Sequence, residues 1–229
     1  MSTFRLDEKK IRPVALAAAG LFLLFAVLFF SPVKIPHKIA FTLGSAFLAS
    51  LWLCPWQISL ALLFSALGDY FGSCHIFLAQ MGSFAAAHVF FVWYFVKRWI
   101  GKMEKKGKAT AKSRGFVFMI LFLTAALLAV VFGKIVPCTP EGVIRIGVSI
   151  YALLISSMLF FALMQRSSLF AIGAVLFVFS DFILAWNKFV DPIEYSRLLI
   201  MIPYYAGQFF LFMRSTPYRV KPGLRGFRF

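Results

Sequence analysis

Two aspartates lie inside strongly apolar stretches of the sequence, Asp69 within the segment LGDY and Asp181 within the segment FSDF. A carboxyl group at membrane depth costs several kcal/mol, so such residues are rare and usually face a protein interior or a water-filled cavity. The two segments are alike, because each places a small residue before the acid and an aromatic residue after it. We therefore predict that both aspartates belong to one functional site.

Five polar side chains in other apolar stretches are candidates for the same site. His88 lies among glycine and alanine residues that allow a neighbouring helix to approach closely, and its imidazole needs a polar partner at that depth. Gln208 follows Tyr204 and Tyr205 by about one helical turn, so these polar groups can share a helix face. Tyr151 is a weaker candidate in another stretch.

Asn187 and Lys188 follow Asp181 by about two helical turns. This spacing places them at the predicted membrane boundary, where they would meet a phosphate group. A lysine there also reaches water simply by extending its side chain along the apolar surface. Both interpretations of Lys188 remain open on the sequence.

The sequence predicts neither a metal site nor a cofactor. One buried histidine and two separated acids do not have the spacing of a metal-ligand set. The chain also contains neither a glycine-rich phosphate loop nor a Gly-x-Ser-x-Gly motif. Any hydrolysis is therefore expected to use acid–base chemistry on water.

The composition is that of a polytopic membrane protein. Hydrophobic residues make up 62% of the chain, aromatic residues 18% and charged residues only 14%, and the mean hydropathy is +0.88. Soluble domains contain far fewer apolar and more charged residues. Membrane lipids are therefore predicted as the surroundings of the chain.

Eight apolar runs have about the length that crosses a bilayer as a helix. Their ranges are 13–30, 38–53, 55–71, 77–97, 115–132, 142–164, 169–186 and 196–213. No run alternates apolar and polar residues, which excludes strands as the spanning elements. The first run has a basic flank but no small-residue cleavage site, so it is predicted to be a retained helix. The fold class is all-α, with one integral domain over residues 1–229.

The net charge of +16 is distributed unevenly between the two predicted sides of the membrane. When alternate connections are assigned to opposite sides, about 18 of the 24 Lys and Arg residues fall on the side of both termini. The positive-inside rule then places both termini in the cytoplasm. Nucleic-acid binding is excluded as the reason for the charge, because no soluble module is present to provide it.

The long polar connection at residues 98–114 divides the predicted helices into four and four. Asp69 and Asp181 are 112 residues apart, a spacing that superposes the third predicted helix on the seventh. Two halves of four helices have the same orientation, as in parallel transporter repeats. The two carboxyl groups would then differ in depth by only a few Å and face each other in the outer half of the membrane.

Several of these motifs together resemble the YhhN family of membrane proteins, which includes the lysoplasmalogenases. The resemblance covers about residues 13–213, and its most specific part is the segment GAVLFVFSDFILA that contains Asp181. Gly68 with Asp69, the segment from Gly82 to His88, the segment from Tyr151 to Met158, and Tyr204 and Tyr205 with Gln208 carry the rest.

The resemblance implies cleavage of the vinyl ether bond of a lysoplasmalogen, with a lysolipid and water as reactants. One protonated aspartate would protonate the β-carbon of the vinyl ether, and one ionised aspartate would activate water and stabilise the cation, as two carboxyl groups do in glycosidases. Burial and mutual repulsion would keep one of the two acids protonated. A bacterial inner membrane is the location that the resemblance implies.

Two other functions use the same residues. In a proton- or cation-coupled transporter, or a lipid-binding membrane protein, Asp69, Asp181 and His88 would carry protons or bind a cation. An aspartyl intramembrane protease is less well supported, because Ala66 interrupts its Gly-x-Gly-Asp pattern and Ser180 replaces the tyrosine of its second motif. Release of aldehyde, of fatty acid or of neither product would distinguish these functions.

Overall fold

The computed structural model describes residues 8–106 and 111–216, and the regular elements in these ranges are all helices, joined by short connections. The all-α prediction is therefore confirmed. The eight α-helices within these ranges are α1 (Glu8–Phe30), α2 (Ile39–Leu53), α3 (Trp56–Ser73), α4 (Phe77–Lys106), α5 (Ala111–Val130), α6 (Val143–Leu163), α7 (Ser168–Phe189) and α8 (Ser196–Ser215). A π-helical turn, Val131–Ile135, and a 3₁₀ turn, Val136–Cys138, continue α5.

Five stretches within the described ranges are long and apolar enough to cross a membrane. They are Ile11–Phe30, Phe77–Met103, Arg114–Cys138, Val143–Leu163 and Ser168–Phe189. In the third stretch, Phe118 and Phe122 of α5 are 69% and 73% exposed. Large exposed apolar side chains of this kind are stable against lipid tails and unfavourable in water. The chain is therefore an integral membrane protein, and crossing by α2, α3 and α8 stays a prediction.

The boundaries of α4 and α5 differ from the predicted ones. Helix α4 continues nine residues beyond residue 97, and α5 begins at Ala111 rather than at 115, so much of the 98–114 connection is helical. Lysine and methionine are good helix formers, and the Lys102 ammonium donates a 2.7 Å hydrogen bond to the Gln165 carbonyl oxygen. Apolar runs mark where a helix meets lipid and not where it ends.

Asp69 and Asp181 each lie on one helix of a closely packed pair, Asp69 in the pair α3 and α4 and Asp181 in the pair α7 and α8. In the α7 and α8 pair the backbones nearly touch, because a Cβ atom added to Gly207 would lie 2.8 Å from the Gly173 carbonyl oxygen. In the α3 and α4 pair, a Cβ added to Gly68 would lie 2.9 Å from the Phe84 ring. Small residues therefore bring α8 close to the helix of Asp181, and bring Phe84 against the residue before Asp69.

Candidate active site

The structure brings the two aspartates into one site. Asp69 on α3 is 3% exposed, and Asp181 on α7 is half-buried. Contacting rings connect their surroundings, since Phe84 packs against Gly68 and lies 5.9 Å from the Tyr204 ring, which stacks on Phe177 of α7 at 5.5 Å. The two aspartates are therefore in unequal surroundings, Asp69 enclosed and Asp181 partly exposed.

Asp181 has a hydrogen-bond partner on the neighbouring helix α6. The Tyr151 hydroxyl of α6 donates to Oδ2 of Asp181. A hydrogen bond to a carboxylate oxygen favours the ionised form of the acid. Tyr151 thus fixes the position of Asp181 and stabilises its negative charge.

Asp69 lies beside the Tyr204 hydroxyl of α8 and interacts with it. The contact is not a well-formed hydrogen bond, since Oδ2 of Asp69 and the Tyr204 hydroxyl are both buried with no hydrogen-bond partner among the described residues. An ionised carboxylate in that condition is costly, whereas a protonated one is much less so. The surroundings of Asp69 therefore favour its protonated form.

His88 on α4 completes the cluster. Its Nδ1 lies 2.7 Å from the Phe84 carbonyl oxygen, which assigns the proton to Nδ1 and leaves Nε2 as an acceptor. Nε2 is buried and has no partner among the described residues. The His88 ring is 5.2 Å from the Tyr151 ring and stacks at 4.9 Å on Phe177 of α7, and Phe177 in turn stacks at 5.5 Å on Tyr204. We call Asp69, Asp181, His88, Tyr151 and Tyr204 the acid cluster.

Gln208 and Tyr205 lie at the edge of the acid cluster on α8. The Gln208 amide nitrogen donates a 3.1 Å hydrogen bond to Oγ of Ser65 on α3, while its buried Oε1 has no partner in the described part of the chain. The Tyr205 hydroxyl donates instead to the Ile39 carbonyl oxygen, at 3.1 Å. Gln208 therefore ties α8 to the helix of Asp69, and Tyr205 ties it to α2.

Asn187 and Lys188 make their contacts elsewhere. Oδ1 of Asn187 accepts a 2.8 Å hydrogen bond from the Ile193 backbone N–H, which holds the connection between α7 and α8. The Lys188 ammonium lies 4.3 Å from the centre of the Phe77 ring, a cation–π contact. Their role in binding a phosphate group stays a prediction.

Sequence reasoning missed Ser65 and Phe177 as members of this region. Each lies four residues before the aspartate of its own helix, and residues four apart share a helix face. This four-residue spacing could have indicated that Ser65 and Phe177 lie beside the aspartates. Serine and phenylalanine are too common in membrane helices for their type alone to attract attention.

A cavity of about 410 Å³ lies next to the acid cluster. On three helices, a residue lining the cavity is three positions from an acid-cluster residue, which is about 5 Å along a helix axis. These pairs are Asp69 and Gly72, Asp181 and Leu184, and Tyr204 and Met201. In all three cases the lining residue is nearer the same end of the bundle, so the cavity lies about one helical turn from the acid cluster at that end.

The comparison with known proteins identifies the family. The YhhN family model matches residues 29–215. Lysoplasmalogenase TMEM86B of Homo sapiens is 32% identical over 152 residues, 65% of this chain and 58% of the human protein. The Rattus norvegicus TMEM86B lysoplasmalogenase is 31% identical over 174 residues, 74% of this chain and 64% of that protein. Lysoplasmalogenase TMEM86A of Bos taurus is 30% identical over 167 residues, which are 71% of this chain and 66% of the bovine protein.

The chain thus spans between about half and two thirds of the length of these curated relatives. No solved structure matches it. The family match itself covers most of the chain, including all five residues of the acid cluster. The chain belongs to the YhhN family.

Proposed function

We propose that the protein is a lysoplasmalogenase-like membrane hydrolase. Its substrate would be a lysoplasmalogen or a related single-chain lysolipid, and its reaction the hydrolysis of the vinyl ether bond. The observation that carries the proposal is the placement of the buried Asp69 and the half-buried Asp181 in one cluster, which the contacts of Tyr151, His88, Phe177 and Tyr204 connect. The names of the relatives, all lysoplasmalogenases, support the same substrate class.

The reaction requires one proton donor and one water activator. Protonation of the β-carbon converts the vinyl ether into an oxocarbenium ion, and water then adds to the carbon next to the ether oxygen. The water gives up a proton, and the resulting hemiacetal collapses to a fatty aldehyde and the free hydroxyl of the glycerophospho product. Both roles are general acid–base catalysis.

The surroundings of the two acids divide these roles. Asp69 is enclosed and its Oδ2 has no partner among the described residues, so it holds the proton that the β-carbon receives. Asp181 is half-buried and accepts the Tyr151 hydrogen bond, so it is the ionised group that takes a proton from water. His88 offers Nε2 and Gln208 offers Oε1 as further acceptors for water or a substrate hydroxyl.

The selectivity for the bond and for one chain tests this function. Purified protein should release aldehyde from a lysoplasmalogen and no fatty acid from the matching single-chain ester, because an ester cannot form the oxocarbenium ion. A two-chain plasmalogen should react at least about tenfold more slowly, because its second chain must also be removed from lipid. Chromatography of aldehyde and fatty acid measures both ratios. Ester cleavage at a similar rate would exclude the vinyl ether mechanism, and proton flux without any product would favour the transporter.

We also propose that all eight helices cross the membrane, with both termini in the cytoplasm and two parallel halves of four helices, in a bacterial inner membrane. Cys138 would then lie on the outer side and residue 108 on the inner side. With the other cysteines replaced by serine, Cys138 should react with a membrane-impermeant maleimide on intact cells. A Lys108→Cys variant lacking the native cysteines should react only after the cells are opened. The reverse pattern would invert the topology.

A further inference from the structure

Two adjoining cavities at one end of the bundle share a pair of cationic side chains. The cavity beside the acid cluster has a volume of about 410 Å³, and its neighbour one of about 530 Å³. Lys38 and Arg197 line both cavities. His37 lines the first cavity and Lys34 the second. We call the region where the two cavities adjoin, around Lys38 and Arg197, the entrance; it is basic.

Backbone carbonyl groups at the end of α1 and just after it hold the side chains of Lys38 and Arg197 in place. The Lys38 ammonium donates hydrogen bonds of 2.7 Å and 2.9 Å to the carbonyl oxygens of Ser31 and Val33. The Arg197 guanidinium donates one of 3.1 Å to the Phe29 carbonyl oxygen and lies 4.7 Å from the centre of that ring. Lysine has three donors and arginine five, so both retain donors for a further acceptor.

No carboxylate of the described residues forms an ion pair with Lys38 or Arg197. Among the described residues, the ion pair that is present joins Arg145 to Glu141 at 3.2 Å. Neither of these two residues lines either cavity. In the proposed topology six cations lie on the outer side, and Lys34, Lys38 and Arg197 are three of them. Cations are disfavoured on that side, so their concentration around one entrance suits an anionic ligand.

The first cavity is lined by apolar as well as basic side chains. Leu184 and Met201 line it one helical turn from Asp181 and Tyr204. In a lysoplasmalogen, the glycerol unit separates the phosphate from the vinyl ether oxygen. A phosphate held by the cations would therefore place the ether oxygen farther along the cavity, where Leu184 and Met201 are available as lining.

We propose that Lys38 and Arg197 bind the phosphodiester of a single-chain phospholipid and so position its ether bond at the acid cluster. This inference rests on the proposed function, of which it names the head-group site. Guanidinium and ammonium donors make charge-assisted hydrogen bonds to phosphate oxygens. Free phosphate offers the same oxygens without a chain, so the test must separate the two sources.

Binding of a lipid that the enzyme cannot cleave tests the site without requiring catalysis. A 1-O-alkyl lysophospholipid has a saturated ether, which cannot form the oxocarbenium ion by protonation of a double bond. The wild-type protein in detergent should bind it at least about tenfold more tightly than the 1-O-alkylglycerol that lacks the phosphate. Inorganic phosphate should not compete at millimolar concentration. Equal binding of the two lipids, or full competition by phosphate, would overturn the proposal.

Variants locate the preference for phosphate. Arg197→Gln and Lys38→Gln should each reduce it, whereas Arg197→Lys and Lys38→Arg should retain most of it. Lys134→Gln is the matched control, because it removes an exposed cation from the same proposed side but outside both cavities. Melting in detergent identifies variants that lose binding through unfolding, since both cations also bond the end of α1. If folded Gln variants keep the full preference for phosphate, the proposal is wrong.

Failure of this site and failure of the hydrolase give different results. If the protein releases no aldehyde but folded Arg197→Gln loses phosphate-dependent binding, the head-group site stands and the hydrolase function falls. If the protein releases aldehyde and neither Gln variant changes lipid binding or KM, the function stands and the head-group site is excluded.

Discussion

Replacing either Asp69 or Asp181 with Asn is expected to lower aldehyde release by about 1,000-fold or more, since each substitution removes a general acid or base. Asn keeps the volume and much of the hydrogen bonding of Asp. The loss should appear in kcat, because the groups act on the reacting atoms. Initial rates of aldehyde release from a lysoplasmalogen, at matched amounts of folded protein, measure it.

Stability separates a catalytic role from a structural one. Asn is neutral and nearly isosteric with the protonated carboxyl group of Asp69, so the melting temperature of Asp69→Asn should not fall. Asp191→Asn is the control, because Asp191 is exposed in the connection between α7 and α8 and its loss should leave the rate unchanged. Near-normal turnover by a folded Asp69 or Asp181 variant would exclude the pair, and activity lost only together with the fold would make the aspartates structural.

Replacing Tyr151 with Phe should lower kcat by about 10- to 100-fold, the value of one hydrogen bond to a charged group. The substitution keeps the ring beside His88 and removes only the hydroxyl that donates to Asp181. Tyr151 is a positioning residue in this account, so KM should change little. Steady-state kinetics with a lysoplasmalogen separate the two parameters.

Tyr70→Phe is the matched control for Tyr151→Phe, because Tyr70 follows Asp69 directly but is 42% exposed. Its kcat should stay near the wild-type value. If Tyr151→Phe raises KM and leaves kcat unchanged, the hydroxyl binds substrate and does not orient Asp181.

The helices were predictable from the sequence because lipid imposes one rule on all of them. A spanning segment must be apolar over a fixed length, and the predicted ranges for α2 and α3 agree with the observed ones within about two residues. The π turn at Val131–Ile135 was not predictable, since hydropathy does not distinguish hydrogen bonds to the fourth residue from those to the fifth.

The members of the acid cluster that are rare in membrane helices were predictable from the sequence. Asp69, Asp181 and His88 are costly in apolar surroundings, and this cost made them visible without any structure. Their convergence depends on how helices pack, which the sequence expresses only through small residues such as Gly68 and Gly207. The same limit applies to the entrance, since nothing in the sequence places Lys38 next to Arg197, a residue far away in the chain.

The rate of aldehyde release by the double variant Asp69→Asn/Asp181→Asn tests most directly whether the two carboxyl groups act as one unit. The folded double variant should be no more than about threefold slower than the slower single variant, because the effects of residues in one catalytic unit are not additive. A rate reduced by the product of the two single effects would assign the aspartates to independent roles. A double variant with the wild-type rate would contradict the acid pair altogether.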